Sequence, residues 1–218
     1  MIMSQYNLIR QRIDQVKPEP IRYCLMTAYL YAGRICEVIS QKVPSDLTTT
    51  PRGPRGTDAR LDTYEGEEIV VFTVYTAKRE GIKRNVALPI SYESWAKPLY
   101  EYFSLKGSDF VFPFNRQKVW AYSKKAFEGE IYEIEEYRVL KDGELKSVKR
   151  HPKPFRLHAL RHLRASELVE YFGFDGFNLA TYGGWKYSTT ARTSSVMDRY
   201  LTLGWQSYVG KLFKKRRI

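Results

Sequence analysis

Two stretches of this chain double back on themselves, and this limits the kind of sheet it can build. Glu68 to Thr76 is β-branched and aromatic, Lys78-Arg79-Glu80-Gly81 has turn character, and Ile82 to Leu88 reads as the return strand. Further on, Ile131 to Leu140 and Glu144 to Val148 flank Lys141-Asp142-Gly143. Asp-Gly between such runs is a strong short-range hairpin signal. Both pairs are therefore expected to be local antiparallel hairpins.

Most of the remaining sequence reads as helix. Leu8 to Val16 is a short amphipathic helix, interrupted by Pro18 and Pro20. Ile21 to Ser40 reads as one long, largely buried helix, with Leu25, Ala28, Leu30 and Ile35 as core candidates and Arg34 in the polar part of its C-terminal half. Ser91 to Leu105, Arg116 to Glu128, Leu157 to Phe172, Phe177 to Tyr182, Thr189 to Leu201 and Gln206 to Phe213 are further helices. Thr48 to Glu67, rich in Thr, Pro, Gly and Arg, reads as an exposed loop. Pro152 and Pro154 are expected to close the second hairpin, and Gly183-Gly184 breaks the chain before Trp185. No repeat or linker divides the chain. The expected architecture is a single α+β domain over 1–218, mainly helical, with a small antiparallel sheet or hairpins.

Charge narrows the partners. The formal net charge of +12 would draw in a polyanion and make binding salt-dependent. Charge alone fits DNA, RNA and an anionic membrane, or simply a solvated basic surface. No apolar run is long enough to span a bilayer, and Met1 to Gln15 is too polar for a signal peptide. The expectation is an intracellular, cytoplasmic protein that does not enter membranes. Cys24 and Cys36, the only cysteines, sit in apolar sequence and read as small hydrophobes. No Cys/His cluster has zinc-ligand spacing, and no metal or cofactor is expected.

Chemistry enters with Leu157-His158-Ala159-Leu160-Arg161-His162. Residues three apart share a helical face, so His158 and Arg161 can address one ligand while Leu160, Leu163 and Leu168 point to the core. Such a polar pair on an amphipathic helix is often only surface, and the remaining motifs raise its specificity. Ala32-Gly33-Arg34-Ile35-Cys36-Glu37-Val38 resembles box I of the tyrosine recombinases, also called the phage integrase family. His158-Ala159-Leu160-Arg161-His162 resembles the core of the second box, and Tyr182-Gly183-Gly184-Trp185 the short Gly-His or Gly-Trp segment that follows it. Val196-Met197-Asp198-Arg199-Tyr200-Leu201 resembles the segment that carries the nucleophile. The hairpin from Val70 to Pro89, with Thr76-Ala77-Lys78, resembles the catalytic-lysine hairpin. These matches occur in family order and cover most of the chain.

The resemblance implies DNA cleavage and rejoining through a 3′-phosphotyrosine, without metal or ATP. Arg34 and Arg161 would clamp the phosphate, since a guanidinium makes bidentate, charge-assisted bonds and keeps its proton. His158 would hydrogen-bond the phosphate and help take the proton from Tyr200, the nucleophile. Trp185 would supply an indole N–H and an apolar body, and Lys78 would protonate the departing 5′ oxygen. Glu37 is assigned to orienting Arg34 or a neighbouring helix, and His162 to structural support. Among seventeen tyrosines, Tyr187 and Tyr208 remain the other candidate nucleophiles. Arg52, Arg55, Arg60, Arg79, Lys83 and Lys186 are candidate DNA contacts. The implied partner is double-stranded DNA, with self-association into a synaptic tetramer.

Three departures accompany the resemblance. The gap between Trp185 and Tyr200 is longer than the family usually shows, the 131–148 hairpin reads as an insertion, and the helical core-binding domain that usually precedes box I is expected to be absent. A type IB topoisomerase, a non-catalytic DNA-binding protein of the same fold and a basic RNA-binding module are the competing readings.

Overall fold

The computed structural model describes residues 2–40, 53–76, 83–139, 145–185 and 204–213. Their architecture is α+β: helices surround a small antiparallel sheet, and a separate two-stranded ribbon stands apart. None of the described helices is long and apolar enough to cross a membrane.

Helix α1 (Ile2–Asp14) buries one stripe, Tyr6, Ile9 and Ile13, continued past its end by Val16. The alternating three- and four-residue spacing keeps these side chains on one face. Pro18 then sits in extended backbone as the N-cap of α2 (Glu19–Leu30), with Pro20 in its first turn, where a missing N–H costs nothing. Helix α2 is the hub of the fold, and its run from Cys24 to Leu30 is buried throughout.

The expected helix from Ile21 to Ser40 is corrected here: α2 stops at Leu30. Ala32 adopts a left-handed backbone, φ 43°, and the chain re-enters as a single 3-10 turn over Ile35–Glu37. Gly33 shows why. A Cβ there would lie 2.9 Å from a Glu37 carboxylate oxygen and 3.3 Å from the Tyr31 Cβ. Arg34 is thus the N-cap of this turn rather than a helical residue.

Strands β1 (Ala59–Tyr64), β2 (Glu67–Tyr75) and β3 (Lys83–Pro89) pair antiparallel in chain order. Strand β1 corrects the expectation of an exposed loop from Thr48 to Glu67. It runs along β2 with Arg60 opposite Val71 and Asp62 opposite Ile69. Glu65 and Gly66, at φ 51° and 84°, form the two-residue connection, whose positive φ values match the twist of the flanking strands. Ile69 to Phe72 and Val86 to Leu88 are fully buried and form the sheet's share of the core.

Helices α3 (Ala96–Ser104) and α4 (Arg116–Ala126) follow. Strands β4 (Ile131–Val139) and β5 (Leu145–Pro154) form the ribbon, with a register shift at Glu136/Tyr137. The second strand extends six residues beyond the expected Val148, so Pro152 and Pro154 lie inside it rather than closing it. A two-stranded ribbon has only edges, which is where a strand tolerates proline. The Phe155 N–H donates to the Glu130 carbonyl at 3.0 Å and closes the ribbon's base.

Helix α5 (Leu157–Glu170) packs Ala159, Leu160, Leu163 and Leu168 inward, and α6 (Gly176–Gly183) starts with the Asp175 side chain accepting from the Asn178 N–H. A buried polar knot joins these helices to α2. The Arg164 guanidinium donates to Glu167 at 2.6 Å, and the Tyr29 hydroxyl donates to the same carboxylate oxygen at 2.8 Å. The Tyr182 hydroxyl donates to the Leu30 carbonyl. Helix α7 (Gln206–Val209) and a final 3-10 turn complete the described chain.

Candidate phosphate-binding site

Four segments meet at the candidate site: the turn after α2, strand β3, the first turns of α5, and the residues just past α6. The α2 turn supplies Arg34 and Glu37. Glu37 is buried and acts as a two-sided acceptor. One oxygen accepts from the Arg34 guanidinium at 3.4 Å, and the other from the Arg34 backbone N–H at 3.1 Å. Glu37 therefore meets Arg34 at both its side chain and its backbone.

Strand β3 supplies a residue the sequence reading passed over. Arg84 is buried, and its guanidinium donates to the Tyr31 carbonyl at 2.9 Å, to Glu37 at 3.3 Å and to the Tyr182 carbonyl. The available signal was strand alternation: Arg84, Val86 and Leu88 lie two apart and share one face.

Helix α5 supplies Arg161, only 9% exposed. Its buried Nη1 has no hydrogen-bond partner among the described residues. Its Cζ lies 4.6 Å from the centre of the Trp185 ring, a cation–π stack. Burial pushes this guanidinium down to about 10; Arg34 and Arg84 push the same way, and Glu37 opposes them. The Trp185 indole Nε1 is also buried without a hydrogen-bond partner among the described residues. Gly183 makes the seat for that indole, since a Cβ on it would fall 2.5 Å from Trp185 Cε2. Gly184 caps α6 in the left-handed region at φ 63° and turns the chain so that Trp185 returns toward α5.

His158 stands one turn before Arg161 on α5, exposed, with its ring edge-on to His162 at 4.8 Å between centroids. Partial burial lowers its pKa, and the neighbouring His162, Arg161 and Arg34 lower it further. At neutral pH it is therefore largely uncharged and able to accept a proton. The pKa of His162 is lowered as well, by burial and then by Arg161.

Three guanidiniums thus gather around one buried carboxylate, and three buried N–H donors there, Arg161 Nη1, Trp185 Nε1 and Arg84 Nε, lack partners among the described residues. Unpaired buried donors are costly, by roughly 1–3 kcal/mol each. The arrangement suits an oxyanion held by Arg161, Trp185 and Arg34, with His158 at its edge.

The other expected contacts divide. Lys83 is exposed at the start of β3, its Nζ 5.0 Å from the centre of the Tyr75 ring. Arg60 is exposed on β1 beside Asp62. Arg55 already has a structural task, since it donates to the Ser108 carbonyl and stacks at 4.3 Å on Phe110. Tyr208 is removed from the candidate nucleophiles. It is buried, its hydroxyl donates to the Asn85 carbonyl at 2.7 Å and accepts the Ala87 N–H at 3.1 Å, and burial pushes its pKa far up. Lys78, Tyr200, Tyr187, Arg52, Arg79 and Lys186 lie outside the described residues. Comparison with protein-family models, curated proteins and solved structures finds no match.

Proposed function

We propose that this chain cleaves and rejoins DNA strands as a catalytic domain of the tyrosine-recombinase kind. The observation that carries the reading is the buried Arg161 with an unpartnered N–H, stacked on an indole whose own N–H is unpartnered. Such donors are preorganised for a group carrying more negative charge than a resting diester, and each can be worth about a hundredfold in rate. The ordered motifs, the +12 charge and the lowered pKa of His158 support the same reading.

In this mechanism the Tyr200 oxygen attacks a backbone phosphorus, and its proton passes to neutral His158. Arg34, Arg161 and the Trp185 indole hold the non-bridging oxygens as their charge grows. The P–O5′ bond breaks while the tyrosine–phosphorus bond forms, and Lys78 protonates the departing 5′ oxygen. The diester energy is retained in the 3′-phosphotyrosine, so a 5′ hydroxyl reverses the step without ATP. Strand exchange between two sites calls for several chains on DNA, so the bound form is a self-associated complex acting where cellular DNA is.

The test is a nicked duplex whose cleavage releases a short fragment and strands the covalent complex. The reading expects wild-type protein to give a DNA-linked species on a denaturing gel, and Arg161→Ala to lose it. DNA binding with no such species on several substrates would contradict strand cleavage and leave a non-catalytic binder. Supercoiled plasmid relaxed without strand exchange would shift the reading to a type IB topoisomerase.

A further inference from the structure

Arg84 has no part in the mechanism above, yet it touches three of the segments that build the site. It springs from β3, the strand that follows Lys78 in the sequence. One nitrogen is shared between Glu37 and the Tyr31 carbonyl, on either side of the Arg34 turn. The other terminal nitrogen reaches the Tyr182 carbonyl, three residues before Trp185, while Nε has no hydrogen-bond partner among the described residues. Two glycines are shaped around it. A Cβ on Gly184 would lie 2.7 Å from Arg84 Cδ, and one on Gly33 would lie 3.4 Å from Arg84 Nη2 as well as striking Glu37.

We infer that Arg84 is the positioning residue of the site: it locks the Glu37 carboxylate that aims Arg34, and it fixes the Trp185 turn against the same strand. The inference rests on the strand-cleavage reading. The physical argument starts from Glu37. Glu37 accepts from the half-exposed Arg34 guanidinium through one oxygen and from the Arg34 backbone N–H through the other. With that other oxygen also on a buried guanidinium, Glu37 has one place to be, and Arg34 inherits that place. Arg84 also adds positive charge that Arg161 feels, so the site stays positive after Glu37 has neutralised one guanidinium. Arg84 is buried, and the contacts of both its terminal nitrogens run to the segments that carry Arg34 and Trp185.

This separates orientation from affinity. Loss of Arg84 leaves the exposed cations that attract DNA untouched, while the clamp loses its aim. Misplacement of a clamping group falls on the chemical step more than on ground-state binding. For Arg84→Met the expected result is a cleavage rate at saturating DNA lowered by about tenfold or more, with DNA affinity changed by less than about threefold. Arg84→Lys, which restores the charge and one contact, is expected to recover part of the rate. Gly33→Ala reaches the same lock without removing a buried charge, by displacing the Glu37 carboxylate, and should give the same split should Arg84→Met fold poorly. In the double variant Arg84→Met/Glu37→Gln the rate losses should be less than multiplicative, since both remove one lock.

Wild-type rates in both Arg84→Met and Gly33→Ala, or equal losses in rate and affinity, would overturn the positioning role. Absence of a covalent complex from the wild type would overturn the strand-cleavage reading instead. The two failures are therefore distinguishable in one set of assays.

Discussion

At the scale of single residues, this domain spends stability on a charge. Arg161 is buried with an unpaired N–H, and its nearest ring contact is an indole whose N–H is also unpaired. Replacing a buried, imperfectly compensated charge by an apolar side chain of similar length is often neutral or stabilising. Arg161→Met is therefore expected to melt at the same temperature as wild type or higher, while covalent-complex formation falls by about a hundredfold; thermal melts and denaturing gels report the two. Tyr208→Phe should do the opposite. It strips the Asn85 carbonyl and the Ala87 N–H of a partner, costing about 1–3 kcal/mol in denaturant unfolding, and leaves the cleavage rate of folded protein unchanged. The histidines give a pH signature. Both His158 and His162 have lowered pKa values in the fold, so below the ordinary histidine value of about 6.5 the unfolded chain binds more protons. Stability should therefore fall as pH drops from there through the lowered values. The acid limb of kcat/KM for cleavage should likewise lie below about 6.5 and be lost in His158→Gln. A limb above that value would contradict a neutral His158 in the free protein.

At the scale of elements, what could be read from the sequence depended on whether periodicity alone determined the outcome. Helix α5, with its buried leucines and its His158 and Arg161, was legible because a 3.6-residue period separates core from site. The β2–β3 hairpin and the β4–β5 ribbon were legible because turn residues punctuate β-branched runs. The end of α2 was not, since Ala32-Gly33 looks helical until the Glu37 carboxylate needs the space above Gly33. Strand β1 was missed because it lies on the sheet's edge and mostly faces solvent, so it carries little of the apolar alternation that marks a strand. Arg84 was missed because a charge in a strand reads as exposed until three acceptors close on it. The 131–148 segment, read as an insertion, proves to be a ribbon closed at its base by the Phe155–Glu130 hydrogen bond. Its strands pair with each other rather than with the main sheet. Replacing residues 131–154 by a two-residue turn is accordingly expected to leave a cooperatively folding domain, checked by circular dichroism melts. Loss of the cooperative transition would show that the ribbon supports the core.

At the scale of the whole molecule, helices pack around a small sheet so that the α2 turn, β3, the start of α5 and the end of α6 meet at one basic site. Each brings one part of the proposed oxyanion site: Arg34 with Glu37, Arg84, His158 with Arg161, and Trp185. The polar knot of Tyr29, Arg164, Glu167 and Tyr182 ties three of these elements together beneath it. The central claim is that this site receives a DNA phosphate for attack by Tyr200. The most direct measurement is peptide mapping by mass spectrometry of the covalent complex trapped on nicked DNA, run beside Tyr200→Phe. The account predicts a nucleotide adduct on Tyr200 that the variant cannot form. An adduct on another residue, or an equal yield from the variant, would contradict it.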